Sequence, residues 1–169
     1  MNFNYTGNLN YGWNVSNYIK ACSLSIDSEN IIKASFSCSK TPYINSFDSK
    51  FAEGLFKFDV FEIFIFDLES KRYLEFNFSP NSHFWSALFK DYREIDKEIN
   101  QEVNLFQTSL DKDSFKIEVV VDLNKYNLSF NKYFVNLNSI LYNNDEKHFH
   151  SLNPLMSENP DFHSLRKQL

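Results

Sequence analysis

The chain has 169 residues, enough for one domain with a substantial buried core, and a formal net charge of −5. That balance leaves no basic footprint for a nucleic acid, and no run approaches the ~20 apolar residues of a membrane span. The opening MNFNYTGNLNYGWN has neither a basic start nor an apolar run, so no signal peptide is read and a cytoplasmic protein is expected.

Nineteen Phe and nine Tyr invite a carbohydrate reading. The same chain is rich in Asn, Lys and Ile with only three Arg, a pattern that A/T-biased codons would also produce, so aromatic content alone decides nothing. With three Gly, Asn is expected at many turns, because it tolerates left-handed backbone.

Residues 1–18 give weak signals for a first strand or an arm, with Trp13 either a core plug or a ligand platform. Lys20–Ile26 and Ile31–Ser39 read as a hairpin around Asp27-Ser28-Glu29-Asn30. Facing Ile26 with Ile31 sets Cys22 opposite Ser35 and Cys38 opposite Ile19. The cysteines are then not paired neighbours, and two isolated thiols suit a reducing compartment and a role as small buried hydrophobes. Thr41–Gly54 is a long connection, of a length uncommon without a task. It is expected to cap one end of the fold and to offer Tyr43 or Phe47 as an edge of a site.

The centre of the chain runs from Phe58 to Arg93 and reads as three antiparallel strands. Successive strand side chains alternate between faces. Phe61, Ile63 and Ile65 therefore oppose Glu62, Phe64 and Phe66, and Leu74, Phe76 and Phe78 oppose Tyr73, Glu75, Asn77 and Ser79. Pairing Phe66 with Tyr73 across the polar Asp67–Arg72 segment sets Glu62 opposite Asn77 and Phe64 opposite Glu75. Closing Ser79 against His83 sets Asn77 opposite Trp85 and Glu75 opposite Ala87. One face is then apolar apart from Ser86. The other carries Glu62, Asn77 and Trp85 in a line, with Glu75 diagonal to it, and a slip of one residue would destroy the arrangement.

Downstream, Tyr92, Ile95, Ile99 and Val103 fall near helical spacing, so Asp91–Gln101 is read as a short helix. Glu102–Ser109 and Phe115–Asp122 form a second hairpin turning at Asp111-Lys112-Asp113-Ser114, and Asp122–Ser129 holds one helical turn. Tyr133–Tyr142 and Lys147–Leu152 pair across Asn143-Asn144-Asp145, and Phe162–Leu169 closes the sheet. Short sequential strands without a long helix define an all-β, antiparallel sandwich of jelly-roll or immunoglobulin-like type, taken as one domain over 1–169.

The polar row has two readings, a solvated sheet face or a shallow binding surface. An indole beside carboxylate, amide and guanidinium groups suits a sugar, with its apolar C–H face and rim of hydroxyls. His148 and His150 share a strand face and could hold a metal with Asp161 or His163; Met156 is the only internal Met that could serve a haem. Neither pattern is specific, and no metal ligand set is assigned. Glu62 and Glu75 could act as a glycosidase pair, but on an open sheet next to Arg93 both are expected to stay ionised, which does not suit a general acid.

Three stretches carry a family resemblance: Phe61-Glu62-Ile63-Phe64, Tyr73-Leu74-Glu75-Phe76-Asn77-Phe78-Ser79-Pro80, and Trp85-Ser86-Ala87 followed by Tyr92-Arg93. Together with Pro160-Asp161-Phe162-His163 they resemble bacterial DOMON-like domains grouped with type 9 carbohydrate-binding modules. Leu55–Val60 lacks the Trp and His that those domains carry before the Phe-Glu pair, and His150 stands where a Trp is expected. The resemblance implies a β-sandwich of sugar-binding ancestry, and an irregular excursion rather than a helix after Asp91. The combined reading is a non-catalytic module for a saccharide or similar polyhydroxy ligand, with Glu62, Glu75, Asn77, Trp85, Tyr92, Arg93 and His163 as its site. Docking of another protein on the same face is the alternative. No cofactor is assigned, and calcium is left open.

Overall fold

The computed structural model describes residues 3–99, 103–126, 128, 131–144, 146–153 and 159–167. Met156 and Asp145 lie outside them, so the haem reading and part of the last turn are not described. The architecture is all-β: two antiparallel sheets packed as a sandwich, with no α-helix among the described residues.

Five strands form the first sheet: β1 (Phe3–Gly7), β3 (Ile19–Ile26), β4 (Ile31–Cys38), β10 (Ser114–Asp122) and β9 (Leu105–Asp111), in that spatial order. Seven form the second: β2 (Tyr11–Trp13), β12 (Glu146–Ser151), β11 (Tyr133–Asn143), β5 (Val60–Asp67), β6 (Tyr73–Phe78), β7 (Phe84–Asp91) and β8 (Glu94–Glu98). Between the sheets lies the apolar core. Phe61, Ile63, Ile65, Leu74, Phe76 and Phe78 of the second sheet meet Phe36, Ile117, Val119 and Val121 of the first. The Phe36 and Phe61 rings stack with centroids 4.1 Å apart.

β4 and β10 alternate buried and more accessible residues, as strands with one wet face should. β5 and β6 are buried along their whole length. A second apolar cluster, including Ala52, Leu55, Phe64, Trp85, Phe89 and Phe162, covers their outer face. Two segments far apart in sequence supply this cover: the connection after β4, and a 3-10 helix at Phe162–Lys167. Over its described residues, that helix stands in place of the closing strand expected over Phe162–Leu169, whose last two residues lie outside the described ones. It starts where the Asp161 carboxylate accepts the His163 N–H (3.1 Å), and it carries no sheet pairing.

Other local expectations shift in instructive ways. The β3–β4 turn closes with the Asp27 N–H donating to Ile31 O (3.2 Å) and Asn30 at φ 62°. Ile26 therefore faces Ile32, and Cys22 sits opposite Phe36 rather than Ser35; an irregularity near Ile19 restores Cys38 opposite Ile19. Asp111 pairs directly with Ser114, so the second hairpin turns on two residues rather than four. Asp91–Glu98 is a hairpin, not a helix: Asp91 pairs with Glu94 around Tyr92 and Arg93, with Arg93 at φ 53°. β8 is wholly exposed, so its apolar spacing had no helical face to bury. The expected helical turn after Asp122 is the 3-10 segment Leu123–Tyr126.

Candidate functional site

The site rests on the register of β5, β6 and β7. Glu62 pairs with Asn77 and Asn77 with Trp85, while Phe64 pairs with Glu75 and Glu75 with Ala87. Two tight reversals fix this. The Ser79 N–H donates to His83 O at 2.9 Å, and the Asp67 N–H to Arg72 O at 2.9 Å.

Neither an open face nor a shallow one results. Glu62, Glu75, Asn77 and Trp85 are only 3%, 5%, 4% and 7% exposed. They form the floor of a cavity of about 460 Å³. The walls come from three places: Glu53, Gly54 and Phe56 of the long connection, Arg93 and Ile95 of the β7–β8 hairpin, and Pro160–His163. Phe64, Phe89, Phe149 and Phe162 give the cavity an aromatic lining.

Six of the seven residues proposed from sequence therefore line one cavity: Glu62, Glu75, Asn77, Trp85, Arg93 and His163. Tyr92 does not. Its hydroxyl donates to Asp161 Oδ2, and the Lys167 ammonium sits 3.6 Å from its ring centroid. The expected edges Tyr43 and Phe47 lie elsewhere, against Phe58, Tyr142 and His83. The connection reaches the site through Glu53, Gly54 and Phe56 instead. It is held there because Phe84, at the start of β7, exchanges backbone hydrogen bonds with Lys50 and Ala52 at 2.9 Å each.

Sequence reasoning missed the weight of Asp161. Its carboxylate takes Arg93 Nη2 at 2.9 Å, the Tyr92 hydroxyl and the His163 N–H, tying the β7–β8 hairpin to the C-terminal 3-10 helix. The polar row is also longer than expected: Asn138 pairs with Glu62, and Ser151 with Asn138. The alternation Asn136-Leu137-Asn138 in an apolar strand was the readable signal. Which strand it would join was not readable.

Burial sets the electrostatics. It raises Glu62 well above the usual carboxylate range, the neighbouring Glu75 raises it further, and Arg93 only partly opposes this. Burial likewise pushes Glu75 up to about 7, against the Asn77 hydrogen bond and Arg93. This overturns the expectation that Arg93 would keep both ionised: Coulombic relief from a half-exposed guanidinium does not match the loss of hydration. Burial and Arg93 lower His163 to about 4, so the ring is neutral at pH 7. Burial tends to raise Asp161, but the Tyr92 hydroxyl and Arg93 outweigh it and hold the carboxyl below its ordinary range.

Glu75 Oε1 accepts the Asn77 amide N–H at 2.8 Å. His163 Nδ1 lies 2.8 Å from the Tyr73 hydroxyl, which also accepts the Arg93 N–H at 3.1 Å. Three buried atoms on the floor have no hydrogen-bond partner: the acceptors Glu75 Oε2 and Asn77 Oδ1, and the donor Trp85 Nε1. Buried polar atoms left unmet are costly, on the order of 1–3 kcal/mol each. Three together mark a place shaped for something else to supply the partners.

The metal set considered from sequence does not assemble. Paired residues share a sheet face, and His150 faces Ser139, which faces the core residue Phe61. His148 and His150 thus point to the sandwich interior, while Asp161 and His163 lie across the sheet, on its outer side. Both His150 ring nitrogens are within 3.0 Å of serine hydroxyls, on Ser16 and Ser139.

No protein-family model matches the chain, and no curated protein matches it. Among solved structures it is similar to a crystal structure from Bacteroides uniformis described as a "putative carbohydrate-binding protein". The TM-score is 0.71 at 16% identity, over 94% of this chain and 81% of that one. A likeness at that identity establishes a shared fold.

Proposed function

We propose that this domain binds a saccharide in the outer-face cavity of its seven-stranded sheet and does not transform it. One observation carries the reading: Glu75 Oε2, Asn77 Oδ1 and Trp85 Nε1, two acceptors and a donor, are buried without partners on the floor of one cavity. A polyhydroxy ligand supplies both kinds of partner, since each hydroxyl donates one hydrogen bond and accepts others. The aromatic lining offers the apolar surface that the C–H face of a pyranose needs. Arg93 and His163 would contact the rim, and Tyr92 would act through Asp161. The carbohydrate-binding description of the structurally similar Bacteroides protein supports the same reading, as does the likeness to DOMON-like domains of type 9 carbohydrate-binding-module ancestry.

Calorimetric titration of a panel of soluble oligosaccharides, followed in parallel by tryptophan fluorescence, is expected to find a binder whose affinity falls at least about tenfold with Asn77→Ala. A panel without a binder, or a binder indifferent to Asn77, would count against the proposal. Release of reducing ends from the bound sugar, lost with Glu62→Gln, would show instead that the raised carboxyls serve an acid catalyst.

A further inference from the structure

Four acidic residues line the cavity, Glu53, Glu62, Glu75 and Asp161, against two basic ones, Arg93 and Lys147. The bases do not neutralise the floor. Arg93 is bound to Asp161 at 2.9 Å, and the Lys147 ammonium lies over the Tyr142 ring, 5.3 Å from its centroid. His163 Nε2 approaches Glu75 Oε2 at 3.5 Å, but the ring carries no charge at pH 7. Among the described residues, no Lys or Arg stands within salt-bridge distance of Glu62 or Glu75. Two carboxyls, diagonal neighbours on a buried sheet face, have no Lys or Arg salt bridge among the described residues and feel Arg93 only at a distance.

We infer that the ligand brings the missing cation: the cavity is shaped for a sugar bearing a free amino group, its ammonium seated against Glu62, Glu75 and Asn77. This rests on the saccharide reading and adds the amine. An ammonium has three donors and no acceptor. It therefore fits beside the two unpartnered acceptors Glu75 Oε2 and Asn77 Oδ1, while a neighbouring hydroxyl or ring oxygen takes the Trp85 N–H. A neutral hydroxyl could meet the same acceptors but would leave the pair protonated and gain no charge-assisted bond. An acetylated amine carries no charge and one N–H. The rings of Phe64, Phe89 and Phe162 around the floor are also favourable ground for a cation.

The charged and titratable groups facing the pair are Arg93 from the β7–β8 hairpin, Asp161 and His163 from the C-terminal segment, Glu53 from the long connection, Lys147 from β12 and Tyr73 from the floor strand β6. In the free protein burial keeps a proton on the pair at neutral pH. An ammonium favours the carboxylates, so binding passes that proton to solvent.

The test is calorimetry with four probes: a β-1,4-linked glucosamine tetramer, its N-acetylated counterpart, cellotetraose and spermidine, at a mildly acidic pH where the amines are charged. The glucosamine tetramer should bind roughly ten- to a hundredfold more tightly than the other two sugars, as expected for a charge-assisted bond in a buried site. Repeating the titration in buffers of different ionisation enthalpy should show net proton release, and Glu75→Gln should collapse both the preference and the release. Equal binding of the three tetramers, or preference for the acetylated one, overturns the amine and leaves the saccharide reading standing. Spermidine binding as tightly as the glucosamine tetramer sustains the cation site and overturns the saccharide. No binding by any of the four overturns the inference.

Discussion

The two faces of the seven-stranded sheet are made by the same strands and do opposite things. Toward the interior, Phe61, Ile63, Ile65, Leu74, Phe76 and Phe78 are fully buried among apolar neighbours. Most of the buried polar atoms there are paired, the Ser86 hydroxyl donating to Ile99 O at 2.7 Å and His150 held by Ser16 and Ser139, while His148 Nε2 and the Tyr133 hydroxyl have no partner and face no cavity of comparable size. On the outer side, burial is nearly as deep, yet Glu75, Asn77 and Trp85 keep polar atoms without partners, and the space above them is empty of protein. A stack of Phe66, Tyr73 and Phe89, with centroids 5.0 and 4.5 Å apart, fills one end of that face. The interior face is organised for stability. The exterior face gives up some of that stability to hold polar groups unpaired in a recess.

Substitutions on each side can break this contrast. The largest effect is expected from Phe61→Ala, which removes a ring stacked on Phe36 at the centre of the core; chemical denaturation should show a loss of about 3–5 kcal/mol. A loss near 1 kcal/mol would mean that the core is less tightly built than the packing indicates.

Next comes Glu75→Gln, where the sign depends on pH. The folded protein raises Glu75 from 4.5 to about 7. Its protonated form therefore favours folding below the unfolded value, and that contribution is lost as pH rises through about 7. The wild type should lose roughly 3 kcal/mol of stability across this window through Glu75, and Glu62 acts in the same direction. Glu75→Gln should remove most of that slope, leaving the variant the more stable protein at alkaline pH. Denaturation midpoints measured from pH 4 to 9 check this, and an unchanged slope would deny the raised carboxyl.

His150 provides the opposite sign on the interior face. Burial lowers it to about 4, so the stability it contributes is present above 6.5 and lost as pH falls toward 4. His150→Asn should flatten the acid limb and leave the Glu75 limb intact.

The smallest change in stability is expected from Trp85→Phe, within about 1 kcal/mol of wild type, because the deleted indole N–H has no partner to lose. Ligand affinity should nonetheless fall by roughly tenfold. A large destabilisation with unaltered binding would reverse the roles assigned to the two faces.

Much of the floor of the site was legible in the sequence, and little of its roof. Glu62, Asn77 and Trp85 could be aligned from alternation and two turns, because those turns join neighbouring strands and fix register locally. The same logic slipped by one residue at Asp27–Asn30, where the Asp27 carboxylate captures the N–H groups of Glu29 and Ile31 and shortens the loop. It failed at Ile95 and Ile99, because two apolar residues four apart do not tell a helix from an exposed edge strand with one buried end. The placement of Asn138 beside Glu62 depended on β11 pairing with β5, some seventy positions away in the chain, and nothing local encodes that choice.

What the sequence determined by itself was period and reversal: which residues share a strand face, and which strands in succession lie side by side. Only the tertiary structure decided that the polar row would be roofed, because the cover comes from residues 41–59 and 159–167, brought over the sheet by long-range contacts. The roof changes the chemistry of residues it does not alter. Removing water from around Glu62 and Glu75 reverses the direction in which their carboxyls shift, and hydration is a property of surroundings that no strand carries in its own pattern.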